Sequence, residues 1–335
     1  MKAVQVSEKG GDFEVVERDI PQINDDQVLI KVQACGVCHS DQFVKDGVFP
    51  GLEYPRVPGH EVVGIIEKTG ANVSSWKEGQ RVGVGWHGGH CFECEPCRRG
   101  DFINCKNAKI TGISFDGGYQ EYMAAPQEAL AMVPENLESA DAAPLLCAGV
   151  TVFNALRNTE AQAGDLVAIQ GIGGLGHLGI QYAHKMGFKT VAISGSRDKE
   201  KLAKELGADA FLSMKDQDVV EELQKMGGAK VILATAPSSD AVTAIFEGLG
   251  PNGTVVAVGA DMQPVELATM QFITGKKTLT GHASGTAMDS EDTLNFSALS
   301  KSTPMIETYP LEKAAEAYDR MIKNEARFRT VLVMD

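Results

Sequence analysis

LVAIQGIGGLGHLGIQYAHKMG, residues 166–187, is the stretch that decides the fold. A short apolar run, Leu166–Gln170, leads into Gly171-Ile172-Gly173-Gly174-Leu175-Gly176, and a helical pattern follows at once. This is GxGxxG between a strand and a helix. Glycines in that context let a backbone approach a pyrophosphate seated at the helix N-terminus. A tight βα turn alone also uses glycine, so the neighbouring sequence has to decide. TVAISGS, AFLS, VILATA, GTVVAVG and KTLTGHA follow as short strands, alternating with helical stretches such as DKEKLAKELG and SDAVTAIFEGLG. Strands alternating with helices make a doubly wound parallel α/β sheet, and dinucleotide binding is expected of it.

Before this array the rhythm differs. VLIKVQACGV, EVVGIIEKTG and QRVGVGW are β-branched runs broken by glycines and by Pro50, Pro55 and Pro58, which suggests a partly closed, β-rich barrel with chemistry on its loops. A helix over SADAAPLLCAGVTVFNAL is expected, with Ser139 as its cap. The last fifty residues read as loops, one amphipathic helix (LEKAAEAYDRMIK) and a final strand, RTVLVM, returning to the first domain. With 335 residues, two domains with separate cores are expected. The net charge of −14 argues against nucleic acid as a partner. No apolar run reaches the ~20 residues of a membrane span. The N-terminus lacks an apolar signal core, so a reducing, cytoplasmic setting is expected.

Seven cysteines stand at 35, 38, 91, 94, 97, 105 and 147. Cys91, Cys94, Cys97 and Cys105 are spaced for a closed structural zinc site. A disulfide framework does not suit a chain of this length and setting, and iron–sulfur spacings differ. In CGVCHSD and VPGHE, Cys38 and His60 offer a sulfur and an imidazole, a pairing that catalytic zinc accepts. Cys147, in PLLCAGVT, is the natural third ligand. Two buried thiols and a satisfied core histidine are the plainer alternative for any of these taken singly.

The second strand of the parallel array ends Ser194-Gly195-Ser196-Arg197-Asp198-Lys199. An acidic residue at its end accepts bonds from the ribose 2′-hydroxyl in NAD-binding folds and repels a 2′-phosphate. Ser194 stands there instead. Ser196, Arg197 and Lys199 add donors and positive charge, while Asp198 is expected to cap the following helix. The reading favours NADP(H), with NAD(H) possible.

GVCHSD, VPGHE, the four-cysteine lobe, LLCAGVT, GIGGLGHLG and the terminal FRT, in this order, resemble a zinc-containing alcohol dehydrogenase of the medium-chain dehydrogenase/reductase superfamily. The resemblance implies a GroES-like catalytic domain over 1–148 with a zinc lobe at about 87–108, a Rossmann domain over 149–283, and a return to the catalytic domain over 284–335. It implies two zinc ions per chain: one held by Cys38, His60 and Cys147, the other by the lobe. Glu61 would be an alternate ligand and Asp41 would orient His60. Ser40 would pass on the alcohol proton. His39 and Arg329 would meet the pyrophosphate, Thr151 and Leu175 the nicotinamide, and Val258 also belongs to the cofactor site. Phe49, Trp86 and His87 would line a pocket for small aliphatic or aryl primary alcohols. The implied reaction is reversible hydride transfer between such an alcohol and a nicotinamide, by way of a zinc-bound alkoxide.

Many relatives carry a histidine where this chain has Phe43, so the proton path beyond Ser40 differs here. A zinc-independent quinone or enone reductase of the same fold would not need Cys38, His60 and Cys147. A non-enzymatic dinucleotide-binding protein is the other alternative. KKTLTGHA reads as an edge strand that needs covering, and with the resemblance it suggests a homodimer or homotetramer.

Overall fold

The structure, a computed structural model, describes residues 1–334. The chain folds as two compact units, Met1–Val150 with Ser284 onward, and Thr151–Ala283.

In the second unit six parallel strands stand in the order Ala210–Ser213, Lys189–Ser194, Leu166–Gln170, Ala229–Ala234, Leu249–Ala257, Thr278–Gly281. Leu166–Gln170 is buried along its whole length, as a central strand covered on both faces must be. Strand order reverses beside it. Open α/β sheets take their ligands at such a switch point, outside the carboxyl ends of the strands. Thr278–Gly281 is the sheet's edge.

The first unit is β-rich, with a seven-stranded sheet organised on Gln27–Val37. Val62–Thr69, Tyr122–Pro126 and Arg329–Val333 all pair antiparallel with this long strand. Its register shifts twice against Val62–Thr69, and such bulges bend a strand and increase its twist. Arg329–Val333 also pairs in parallel with Ile306–Pro310. The core between these strands includes Val28, Ile30, Val32, Val62, Ile66, Tyr119 and Met123.

Three local expectations need correcting. The helix expected from Ser139 is two helices: Ser139–Ala142 runs into a 3₁₀ turn, Ala143–Leu146, and Ala148–Arg157 follows after a 54° bend. Glu138, not Ser139, is the N-cap, because the Ser139 hydroxyl donates to Gln33 Oε1 at 2.8 Å. Cys147 stands at the break, at φ −131° and ψ −71°. Asp198 does not cap the next helix, since its carboxylate accepts from Ser196 Oγ at 2.8 Å inside a 3₁₀ turn, Arg197–Lys199. A fourteen-residue helix, Ala287–Ser300, replaces the loop expected after residue 284. Thr286 caps it reciprocally with Asp289, and its inner face is Ser290, Thr293, Leu294 and Ser297. Among the described residues no single helix is long and apolar enough to cross a membrane.

Candidate active site

Cys38 ends the long strand Gln27–Val37 and opens a 3₁₀ turn, His39–Asp41. Ser40 is half-buried in that turn and His39 is exposed. Asp41 points inward with no exposure at all. Its carboxylate collects four donors: the N–H of Cys38 at 2.8 Å, the N–H of Gly59 at 3.3 Å, the Tyr119 hydroxyl at 2.9 Å and His60 Nδ1 at 3.1 Å. His60 is thereby oriented by one ring nitrogen. Its other nitrogen, Nε2, is buried without a hydrogen-bond partner among the described residues.

Cys147 Sγ lies 3.8 Å from Cys38 Sγ, and one donor atom from each of Cys38, His60, Glu61 and Cys147 falls within 4.8 Å of the others. Two thiolates bound to one tetrahedral zinc at ~2.3 Å would stand about 3.8 Å apart. The sulfur separation and the orphaned imidazole nitrogen both fit that metal. The hydrogen bond between the two thiols holds Cys38 well below the usual thiol range, with His60 helping against burial, and pushes Cys147 up. Burial opposes a charged His60, but Asp41 and Cys38 outweigh it and raise its pKa. A dication held by these residues would need thiolate and neutral imidazole as ligands, and so would displace these protons.

Glu61 carries the remaining oxygen donors. It is fully buried and paired with Arg329 Nη2. Burial pushes its carboxyl up to about 7, against the pull of Arg329. Its Oε2 has no hydrogen-bond partner among the described residues. Gly36 makes room for this carboxylate, since a Cβ there would stand 1.8 Å from Oε2. Around His60 the Trp86 ring packs edge-on at 4.8 Å, Phe49 lies 6.1 Å from Trp86, and Phe43 lies 5.7 Å from Phe49. His87 is not part of this aromatic group: its Nε2 meets His90 Nδ1 at 3.0 Å, and burial, with His90 beside it, lowers its pKa to about 4.

In the four-cysteine lobe the sulfurs stand 3.4 Å (Cys94–Cys97), 3.5 Å (Cys91–Cys105) and 3.9 Å (Cys94–Cys105) apart. A disulfide would hold a pair at ~2.05 Å. These separations suit four thiolates on one tetrahedral ion. Backbone N–H groups of Cys91, Cys94 and Asn107 point at the sulfurs at 3.3–3.4 Å. The N–H of Cys94 is the main cause that brings the Cys91 thiol down to about 6.

In the second unit, Gly171 has φ +91° and its N–H donates to Ile193 O at 2.9 Å. A Cβ on Gly176 would meet Gly171 O at 1.8 Å, whereas one on Gly173 would meet nothing within 4 Å. The space at Gly173 fits close approach by a ligand's diphosphate. Gly174 and Leu175 complete the turn, and Leu175 is the N-cap of helix Gly176–Lys185. Ser194 ends its strand, as expected. Arg197 is held by Glu200 at 2.7 Å and by Asp216 at 3.4 Å, while Lys199 Nζ donates to Ile172 O at 2.7 Å. Val258 follows the fifth strand and donates to Ala234 O at 3.0 Å. Thr151 lies buried in helix Ala148–Arg157.

The sequence pairs Asp41 with His60 but gives no sign of Tyr119, which completes the carboxylate's donors from 78 positions away. It points Arg329 to the cofactor alone and gives no sign of its pairing with Glu61 across 268 positions. No spacing motif signals either contact.

Family models described as alcohol dehydrogenase GroES-like domain and as zinc-binding dehydrogenase match residues 24–135 and 174–299. The alcohol dehydrogenase patD of Penicillium expansum is 41% identical over 333 residues, 99% of this chain and 97% of that protein. Among solved structures, one of an NAD-dependent alcohol dehydrogenase matches at TM-score 0.92 and 25% identity, covering 100% of both chains. Another, the Helicobacter pylori CAD complexed with NADP(H), matches at TM-score 0.86 and 25% identity, covering 99% of this chain and 97% of that one. The chain belongs to the zinc-type alcohol dehydrogenases of the medium-chain dehydrogenase/reductase superfamily. It is an oxidoreductase with a GroES-like and a Rossmann unit.

Proposed function

We propose that this alcohol dehydrogenase interconverts small aliphatic or aryl primary alcohols with their aldehydes, prefers NADP(H), and holds two zinc ions per chain. The observation that carries this is the meeting of Cys38, His60 and Cys147, with His60 Nε2 buried and unpartnered among them. A zinc ion held by these three supplies Lewis acidity to the oxygen of the alcohol or aldehyde. Asp41 keeps the His60 tautomer fixed, as partners of metal-binding histidines do. Ser40 would relay the alcohol proton in oxidation, accepting it as its own hydroxyl proton passes on toward solvent, and would run the same exchange in reverse in reduction. Phe49 and Trp86 provide an apolar wall that suits a hydrocarbon substituent and excludes water. Cys91, Cys94, Cys97 and Cys105 hold the second, structural zinc.

The cofactor preference is supported by the serine, rather than a carboxylate, at the end of the second strand. Arg197 is half exposed and tied to the surface carboxylates of Glu200 and Asp216 and to the amide oxygen of Gln217 at 3.4 Å, from which a 2′-phosphate can draw it. The exposed edge strand Thr278–Gly281 supports pairing of two copies through the Rossmann unit. Seven free cysteines fit a reducing compartment, the cytoplasm.

One experiment tests the core of this reading. Purified protein is screened against primary alcohols and aldehydes with both dinucleotides, following nicotinamide absorbance, alongside metal analysis. Turnover with NADP(H) and about two zinc per chain are expected. Full activity with a single zinc, or a clear preference for NAD(H), would overturn the corresponding part.

A further inference from the structure

The glycine turn of the second unit has its carbonyl oxygens tied down one after another. Gln170 O accepts from the Thr235 N–H at 2.9 Å and from Thr235 Oγ1 at 2.8 Å. The same hydroxyl lies 3.3 Å from Gly171 O. Ile172 O accepts from Lys199 Nζ at 2.7 Å. Gly173 O accepts from the His177 N–H at 3.1 Å and meets His177 Nδ1 at 2.9 Å. A carbonyl oxygen only accepts, so Nδ1 carries its hydrogen in this contact. The N–H groups are treated differently. Among the described residues, no backbone acceptor takes those of Ile172, Gly173, Gly174 or Leu175.

This asymmetry matters for an anion. Backbone N–H groups attract a diphosphate and carbonyl oxygens repel it. Glycine accepts either sign of φ, so a glycine turn rotates its peptide planes with little steric resistance. The residues that allow close approach therefore also allow the wrong face of the turn to point at the ligand. His177 is fully buried and Thr235 is 8% exposed, so both donors are fixed by packing rather than by solvent.

We propose that Thr235 and His177 are positioning residues for the dinucleotide. They hold the carbonyls of Gln170, Gly171 and Gly173 away from the diphosphate, so that the turn is set for binding before the ligand arrives. The proposal rests on the reading of residues 166–187 as the dinucleotide site.

The test titrates the purified full-length enzyme with NADPH and with NADH by fluorescence. Hydrogen exchange of Gly171, Leu178 and Gly179, whose N–H groups are bonded to Ile193 O and Leu175 O at the two ends of the turn, is measured in the nucleotide-free protein. Thr235→Val keeps the side-chain volume and removes the donor, whereas Thr235→Ser keeps the donor. Loss of one net hydrogen bond corresponds to a change of about 5-fold. Thr235→Val is expected to raise the Kd of the preferred dinucleotide about 5-fold, to raise its KM more than it lowers kcat, and to speed exchange in the turn. Thr235→Ser should restore all three. His177→Leu and His177→Asn form an independent pair, with Asn returning a donor near the place of Nδ1, and they decide the matter if Thr235→Val does not fold. Binding within twofold of wild type in the donor-less variants, with unchanged exchange, would sink the proposal. Failure of the wild-type protein to bind either dinucleotide would instead remove the reading on which it rests.

Discussion

Cys91, Cys94, Cys97 and Cys105 lie within one short lobe, while Cys38, His60 and Cys147 come from a strand end, a loop and a break between helices. In the lobe all four donors are sulfurs, and backbone N–H groups point at them. In the other site a carboxylate with four donors fixes the imidazole, and a buried Glu61–Arg329 pair stands alongside. A set of four identical ligands satisfies a tetrahedral ion and leaves nothing over; three mixed ligands leave a place for substrate. On the proposed reading, a metal held in the lobe would stabilise structure and a metal held at the second site would serve chemistry. Their ligands should respond to substitution in opposite ways.

The largest expected effect is this crossover. Cys147→Ser should abolish turnover while thermal unfolding stays near that of wild type. Cys94→Ser should lower the melting temperature steeply, because a structural ligand carries metal-linked folding energy. Dialysis against a chelator should likewise remove activity before structure. Two variants with the same profile in paired activity and melting curves would collapse the distinction.

Next in size is the pair that the lobe lacks. Arg329→Met leaves Glu61 buried and unpaired, and breaking one partner of such a pair costs roughly 3–5 kcal/mol. Removing both charges with Glu61→Leu and Arg329→Met should cost less than the single change, because no isolated charge remains. Denaturant titration of wild type, the single variant and the double variant measures this. A double variant no more stable than the single one would show that an isolated Glu61 charge is not what Arg329→Met costs.

Ser40→Ala comes third. General acid–base groups contribute ~10²–10⁴-fold, and the low end is expected where water can substitute. kcat should fall about 100-fold with dinucleotide affinity and zinc content unchanged. Near-normal kcat would remove Ser40 from the proton path.

The two sites also differ in how far the sequence announced them. The lobe was legible because its ligands are close in sequence and of one kind, and the glycine turn because strand, turn and helix are contiguous. Cys38, His60 and Cys147 were legible as residue types, but the geometry that makes them a site was not. Tyr119 reaches Asp41 and Arg329 reaches Glu61 only through the pairing of Tyr122–Pro126 and Arg329–Val333 with Gln27–Val37. Helix Ala287–Ser300 is illegible in the sequence for a different reason. Its buried face is Ser290, Thr293 and Ser297 with only Leu294 apolar, so it shows no hydrophobic stripe. The break at Cys147 was hidden because SADAAPLLCAGVTVFNAL has good helix formers on both sides of Pro144.

The smallest effect concerns the cofactor, where the second unit departs from an NAD-type pattern by single side chains. Ser194 leaves the end of its strand uncharged, and Arg197 is held by Glu200 and Asp216 rather than standing ready. Surface ion pairs of this kind contribute ~0–1 kcal/mol, so a 2′-phosphate can take Arg197 from them at little cost. The same competition limits what Arg197 adds to binding. Arg197→Ala should therefore weaken NADP(H) only about 5-fold and leave NAD(H) nearly unchanged, a difference of ~1 kcal/mol. Ser194→Asp should act from the other side, by giving the 2′-hydroxyl an acceptor and repelling the phosphate. Asp216→Asn releases one partner of Arg197 and should strengthen NADP(H) slightly. The ratio of kcat/KM values for the two dinucleotides in these three variants measures each step. If Asp216→Asn lowers that ratio while Arg197→Ala leaves it unchanged, the phosphate is not read by Arg197, and Lys199 beside Ile172 becomes the residue to vary.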